Sequence, residues 1–380
     1  MKNCDTLVAL NRCEGYRYDK IRAVIDQQFS AIKAEELLHP GIKVAVKPNL
    51  VVRADGTSGV CTHPLVTAAV CTWLMERGAE VVVAESPGGP YTPALLRSLY
   101  QGCGYREMAE TYGITLNEDC SHQSVSYPQG ERCRLFDVIT PILQADLIVD
   151  IAKLKSHCMM MFSGCSKNLF GVIPGLMKPE MHCRFPQKEE FAAMLVDLCE
   201  YVRPAICVMD GILAMEGNGP TGGSPKPMGV LAASRNPYAI DTVCCELAGM
   251  KQQEVWLLRE AVRRGLCPGS LEEIPVEGDS FFSLAVSDFC MPESKSSDFI
   301  DRLPAFLRPL AQKITTPYPK IREKDCVGCG KCAQSCPQHT ISLKNRKAQI
   351  HYQNCIHCFC CHEMCPQHVI DIRRFSLFRF

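Results

Sequence analysis

From residue 5 to about residue 290, short β-branched runs alternate with amphipathic stretches. Parallel strands need long crossovers, usually helical, so this alternation predicts an α/β domain: a largely parallel sheet with helices on both faces. Strand patterns fall at 6–12, 42–49, 80–85, 145–155, 205–210 and 227–233. Helical spacing marks 19–38, where Ile21, Val24, Ile25, Phe29 and Ile32 share a face, and also 64–77, 189–202, 238–248 and 255–264. Pro40-Gly41, Gly78 and Gly265 stop three of these helices, and Asn236-Pro237 starts a fourth. Residues 93–112 read as helix in two pieces, and 114–143 as short strands or loops.

The pattern changes after residue 290. Pro292, Pro304, Pro309, Pro317 and Pro319 surround a short apolar stretch, which reads as a connection over 291–319 between an α/β domain at 1–290 and a small module at 320–380. Within that module Cys326, Cys329, Cys332 and Cys336 follow a C-x2-C-x2-C-x3-C spacing closed by Pro337. Cys355, Cys358, Cys361 and Cys365 repeat it, closed by Pro366, about 29 residues on. Thiolates hold iron strongly, and two residues between cysteines let a short loop wrap one corner of a cubane. The module is therefore expected to be ferredoxin-like, α+β, with two [4Fe-4S] clusters. In two-cluster ferredoxins the fourth cysteine of each run serves the other cluster. That rule assigns Cys326, Cys329, Cys332 and Cys365 to one cluster and Cys355, Cys358, Cys361 and Cys336 to the second. Zinc seldom uses a third cysteine two residues further on or a trailing Cys-Pro, which disfavours a zinc reading. Cys360, beside Cys361, reads as a bystander.

Charge and composition narrow the class. The 41 basic residues balance 41 acidic ones, and no basic run is interleaved with aromatics, so nucleic acid is not an expected partner. There is no apolar run of 18 residues and no secretion signal at the N-terminus, so the expected location is the cytoplasm, with no membrane contact. Of 25 cysteines, those outside the two runs lack framework spacing and read as reduced thiols, suited to an anaerobic interior. Cys158, Cys165 and Cys183 leave room for a third metal site, but their irregular spacing favours core or surface thiols.

Ligands of open α/β sheets sit beyond the carboxyl ends of the strands. Unusual polar residues gather at these ends: Lys47-Pro48-Asn49 after the second strand pattern, Glu85 to Pro90 after the third, Lys153-Leu154-Lys155-Ser156-His157 after the fourth and Asp210-Gly211 after the fifth. Leu147, Val149 and Ile151 share one strand face, and Lys153, Lys155 and His157 continue it, which points to an anion site. Lys167 and Asn168 follow soon after. A glycine-rich stretch containing Glu216 and Asn218 could present backbone N–H groups to an anion, but a surface turn accounts for it as well. Glu85, Asp210, Glu216 and Asp241 could act as a general base or bind magnesium, or simply cap helices.

Val46-Lys47-Pro48-Asn49-Leu50, Lys153-Leu154-Lys155-Ser156-His157, Lys167-Asn168-Leu169-Phe170-Gly171, Met209-Asp210-Gly211 and Glu216-Gly217-Asn218-Gly219-Pro220 together resemble the "domain of unknown function 362" family, whose members often carry a ferredoxin-type module. The resemblance implies an iron-sulfur protein, ferredoxin-like or oxidoreductase, without a defined substrate. Residues 87–93 also echo a loop of lactate racemase-like proteins, over too short a stretch to imply nickel or racemisation.

The leading expectation is a redox enzyme whose clusters pass low-potential electrons to a small anionic substrate, or to a further small-molecule cofactor, at the strand ends. Lys153, Lys155 and Lys167 would hold the anion, Lys47, Asn49 and Asn168 would orient it, and His157 would donate a proton. Two alternatives stay open. One is an electron carrier or adaptor docking an electron donor or acceptor protein; the other is a cluster-delivery protein.

Overall fold

The computed structural model describes residues 6–293 and 316–373. The chain runs β1 (Val8–Arg12), α1 (Tyr18–Ala31), β2 (Lys43–Pro48), α2 (Pro64–Met75), β3 (Glu80–Val83), α3 (Pro93–Gly102), α4 (Tyr105–Tyr112) and β4 (Thr115–Leu116). A side hairpin, β5 (His122–Ser126) and β6 (Leu135–Ile139), and the short α5 (Thr140–Leu143) lead to the long β7 (Leu147–His157) and to β8 (Met161–Ser163). Then come α6 (Cys165–Asn168), α7 (Met177–Arg184), α8 (Lys188–Val202), β9 (Ile206–Glu216), β10 (Ser224–Ser234), α9 (Pro237–Leu247), α10 (Trp256–Arg263), β11 (Val276–Gly278) and α11 (Phe281–Leu284).

The main sheet has the order β11-β1-β10-β9-β7-β2-β3-β4, with β8 folded back on β7. The run β9-β7-β2-β3-β4 is parallel throughout. Strand β10 runs antiparallel to both β9 and β1. This is an α/β domain with a largely parallel sheet. Alternation along β7 sends its side chains to two separate cores. Leu147, Val149 and Ile151 pack with Ile25, Phe29 and Val70 of α1 and α2, while Ile148, Ala152 and Leu154 pack with Phe191, Leu195 and Ile240 of α8 and α9.

Several elements depart from the sequence reading. The first helix ends at Ala31 rather than 38, because Lys33 takes a left-handed conformation (φ 54) and a short 3-10 turn, Ala34–Leu37, follows. Strand β9 continues six residues past Asp210, paired with β10 along most of its length. The connection expected over 291–319 falls largely outside the described residues.

The module comprises β12 (Tyr318–Ile321), α12 (Lys331–Gln334), β13 (Ile341–Lys344), β14 (Lys347–Ile350), α13 (Cys360–Glu363) and β15 (Ile370–Arg373). Strands β12 and β15 pair antiparallel, as do β13 and β14, giving a small ferredoxin-like α+β unit. Among the described residues no helix is long and apolar enough to cross a membrane.

Candidate functional site

Strands β2 and β7 are parallel neighbours, so both chains leave the sheet at the same edge. There the Lys47 ammonium, removed from solvent, donates to Glu85 Oε2 (3.0 Å), Asn168 Oδ1 (3.1 Å) and Pro48 O (3.1 Å). Asn168 Oδ1 also accepts from Asn49 Nδ2 (2.8 Å), whose own Oδ1 accepts from Lys155 Nζ (2.7 Å). Lys155 donates further to Val60 O (2.8 Å). These bonds make one continuous chain, Glu85 to Lys47 to Asn168 to Asn49 to Lys155. Each buried polar group finds a partner, which is what lets so much charge sit inside. At Gly171 a Cβ would overlap Glu85 Oε1 and Lys47 Nζ, so only glycine fits against this chain.

Helix α6 brings Asn168 and Lys167 to the edge. Asp241 of α9 holds its first turn, accepting from Cys165 N (2.6 Å), Ser166 N (2.9 Å) and Ser166 Oγ. Burial pushes the Asp241 carboxyl up to about 6, against the hydrogen bonds from Ser166 and Cys165.

Beyond this edge lies a cavity of about 90 Å³. Asn49, Lys155, Lys167, Asn168 and Phe170 line one side, and Glu85 and Ser86 another. Helix α7 adds Lys178 and His182, and the module closes it with Ser335, Cys360, Glu363 and Met364. Three ammonium groups therefore meet two carboxylates, one of which, Glu85, is already engaged by Lys47. The balance favours an anion. Burial lowers all three lysines; Lys155 and Lys178 come down to about 7, and nearby ammonium charges press in the same direction. Lys178 Nζ rests on Ser86 O (2.7 Å), Ser86 Oγ (3.2 Å) and Pro87 O (3.3 Å). The His182 ring stacks on Phe191 (4.2 Å between centroids) and, among the described residues, its Nδ1 finds no hydrogen-bond partner.

Four anticipated residues, Asn49, Lys155, Lys167 and Asn168, are brought together here, with Lys47 directly behind them. Others lie apart. Lys153 Nζ donates to Asp210 Oδ2 (2.9 Å) and to the Tyr16 hydroxyl (2.7 Å), which itself donates to Asp210 Oδ1 (2.9 Å). Lys153 and Asp210 form a closed ion pair away from the cavity lining, and Lys153 is not free to hold a ligand. His157 also lies outside that lining. Its Nδ1 accepts from Met159 N and Met160 N (3.1 and 3.3 Å), which puts the ring proton on Nε2, 3.4 Å from Glu363 Oε1. Burial holds the ring neutral, a poor acid. Glu216 accepts from Cys290 N (2.8 Å) and Asn218 Oδ1 from Glu293 N (3.0 Å).

The glycine-rich loop carrying Asn218 serves as a bed for the module. Asn218 O lies 3.0 Å from His362 Nε2, and Thr221 Oγ1 donates to Glu363 O (3.0 Å). Lys178, His182 and Glu363 carry no expectation from the sequence, and Cys360 reads there as a bystander. Lys178 and His182 are four residues apart, the spacing of one helix face, and that was the available signal for the first two.

In the module, Cys326, Cys329, Cys332 and Cys365 line one small cavity, and Cys336, Cys355, Cys358 and Cys361 line another. Backbone N–H groups point at two of the sulfurs, Ala348 N at Cys326 (3.5 Å) and Thr340 N at Cys336 (3.3 Å). Two sets of four soft donors with N–H groups aimed at sulfur suit iron-sulfur ligation. Cys360 belongs to neither set. Cys158, Cys165 and Cys183 go separate ways: Cys158 to Asn218, Cys165 into the core, and Cys183 to Gln338. Cys165 does approach Asp150 and Cys207, their ligand atoms within 4.8 Å of one another, and burial pushes all three groups up.

Residues 44–246 match the model of a domain of unknown function, DUF362, and residues 316–371 match a 4Fe-4S dicluster domain. The thylakoid-associated protein sll1697 of a Synechocystis species is 29% identical over 234 residues, covering 61% of this chain and 71% of that protein. Among solved structures, the lactate racemase apoprotein from Thermoanaerobacterium thermosaccharolyticum superposes with a TM-score of 0.40 at 12% identity, over 64% of this chain and 57% of that one.

Proposed function

The chain belongs to the DUF362 family and carries a ferredoxin-type 4Fe-4S domain, and from that premise we propose that it is a redox enzyme acting on a small anion held in the cavity between the two units. The 4Fe-4S domain supports an electron-transfer role. Beyond that, Cys326, Cys329, Cys332 and Cys365 would hold one [4Fe-4S] cluster, and Cys355, Cys358, Cys361 and Cys336 a second. Bound clusters supply single electrons at low potential.

The observation that carries the reading is the shared wall of the cavity: three lysines from the α/β domain on one side, α13 of the module on the other. Lys155, Lys167 and Lys178 bind the anionic group of the ligand. Asn49 and Asn168 orient it by hydrogen bonds, and Phe170 and His182 keep water out. Lys155 Nζ, brought down to about 7, is half protonated near neutrality and can give a proton to a reduced ligand. It replaces His157 in that role.

The test begins with anaerobic purification, iron and sulfide counting, and mass spectrometry of released small molecules. About eight iron and eight sulfide per chain are expected, with an anionic molecule co-purifying from the wild type and lost from Lys167→Ala. Iron without any ligand, in wild type and variant alike, would leave an electron carrier instead. Zinc in place of iron would remove both readings.

A further inference from the structure

The two cysteine cavities of the module face different surroundings. The one lined by Cys336, Cys355, Cys358 and Cys361 neighbours the α/β domain, where Gln338 Nε2 reaches Cys183 Sγ of α7 (3.3 Å) and Cys360, next to Cys361, enters the ligand cavity. The other opens outward. Cys329 is exposed, and Val327 beside it keeps 55% of its surface in solvent.

The β13–β14 hairpin leans on the same loop. Gly328 (φ +67) has no room for a side chain against the Arg346 carbonyl, and a Cβ at Gly330 would stand 3.5 Å from Leu343 Cδ1. Leu343 is itself 49% exposed. In this loop and hairpin Val327 and Leu343 are exposed, and so are Lys324, Lys331, Lys344 and Arg346, none of them in an ion pair among the described residues.

Charge compensation for the thiolates is a simpler explanation for basic residues here, and it fits Lys347, whose Nζ turns inward to Cys326 O (2.6 Å) and Lys324 O (3.3 Å). It does not fit the four exposed cations. Of the carboxylates in the same segment, Asp325 is held by Arg322 (3.0 Å), leaving Glu323 as the opposing charge. Residues 316–373 carry eight lysines and arginines against four carboxylates, in a chain that balances 41 against 41, so the excess is local.

We propose that this face docks an acidic one-electron carrier protein. Exposed apolar side chains and unpaired cations in one loop and hairpin suit a small carrier whose redox group is surrounded by carboxylates. One electron crosses with no bond made or broken and no proton needed, leaving the carrier one electron poorer and this protein one richer. Docking here also separates the entry of electrons from the ligand cavity on the module's other side.

The inference rests on the ligand assignment made above, and the experiment reads the two separately. Iron-loaded protein is titrated with an acidic flavodoxin, and with cytochrome c as a basic carrier of similar size, at low and high salt. The same is done for a variant with Lys324→Glu, Lys331→Glu, Lys344→Glu and Arg346→Glu, whose iron content and electron paramagnetic resonance spectrum are recorded first. Flavodoxin should bind the wild type, weaken ~10-fold or more between 50 and 300 mM salt, and bind the variant ~10- to 100-fold more weakly at unchanged iron content. Equal binding by the variant, indifference to salt, or preference for cytochrome c overturns the docking proposal alone. Failure of the wild type to take up iron overturns the ligand assignment and the proposal with it. If the glutamate variant loses iron, glutamine at the same four positions carries the test, with the same outcomes deciding.

Discussion

Lys155 shows how far surroundings can move one group. Its ammonium accepts nothing and has two neutral acceptors, Asn49 Oδ1 and Val60 O, so burial is offset by dipoles rather than by a paired carboxylate. Burial is the first cause of its descent to about 7; Cys61 and Glu363 oppose it, and the Lys167 and Lys153 charges add to it. The consequence for binding has a definite sign. Below pH 7 the group is charged and attracts an anion; above it the charge is lost, some three units before an ordinary lysine near 10.4 would lose it. Affinity for the anionic ligand should therefore fall as pH rises from 7 to 9, with proton uptake on binding in that window. Calorimetry in buffers of different ionisation enthalpy would record both, and Lys155→Met should abolish the pH dependence attributable to this group. A flat profile to pH 9 in the wild type would show that Lys155 keeps its charge.

At the scale of elements, the site depends on how β7 and α6 are held. Alternation over 147–155 is enough to define β7 and its two faces, because each face meets its own apolar core. The same alternation could not show that Lys153 closes on Asp210 and Tyr16, 57 and 137 residues away, while Lys155 two positions on reaches the cavity. Partners that come from distant segments leave no local period. Helix α6 was invisible for another reason: four residues are too few for a helical pattern, and its stability comes from Asp241. Replacing Asp241 with alanine strands two buried N–H groups and one hydroxyl, which should cost roughly 2–4 kcal/mol in chemical denaturation. Because Lys167 and Asn168 ride on that turn, ligand affinity should drop as well. Unchanged stability would mean that other groups hold α6 in place.

For the molecule as a whole, the 4Fe-4S module also serves as a wall of the cavity. The cysteine runs were legible because metal ligation by short loops is a local property of spacing, whereas the docking of the module was not. Its contacts use a backbone carbonyl at Asn218, a hydroxyl at Thr221 and a glycine-rich loop that from sequence alone looked like an anion cradle or a surface turn. Cysteine loops organised around metal lose their geometry without it. Iron removal under anaerobic chelation should therefore make the segment around 326–365 the first site of limited proteolysis, leave the sheet domain intact, and weaken ligand binding even though the lysines remain. Protection of the module after iron loss would show that its own small core suffices.

One contact across that wall reaches beyond this single chain. Gly88, in the loop after β3, lies against Met364 so closely that a Cβ would overlap the sulfur, and residues 88 and 364 belong to units more than two hundred positions apart. A side chain at 88 is accommodated only if Met364 swings aside or is replaced by a smaller residue. Descendants that keep both units should change the two in concert, a bulkier 88 with a smaller 364, while lineages that shed the C-terminal unit release 88 from the constraint. The history of the fusion should thus be written in paired substitutions at a glycine that, viewed within its own domain, has no visible reason to be kept.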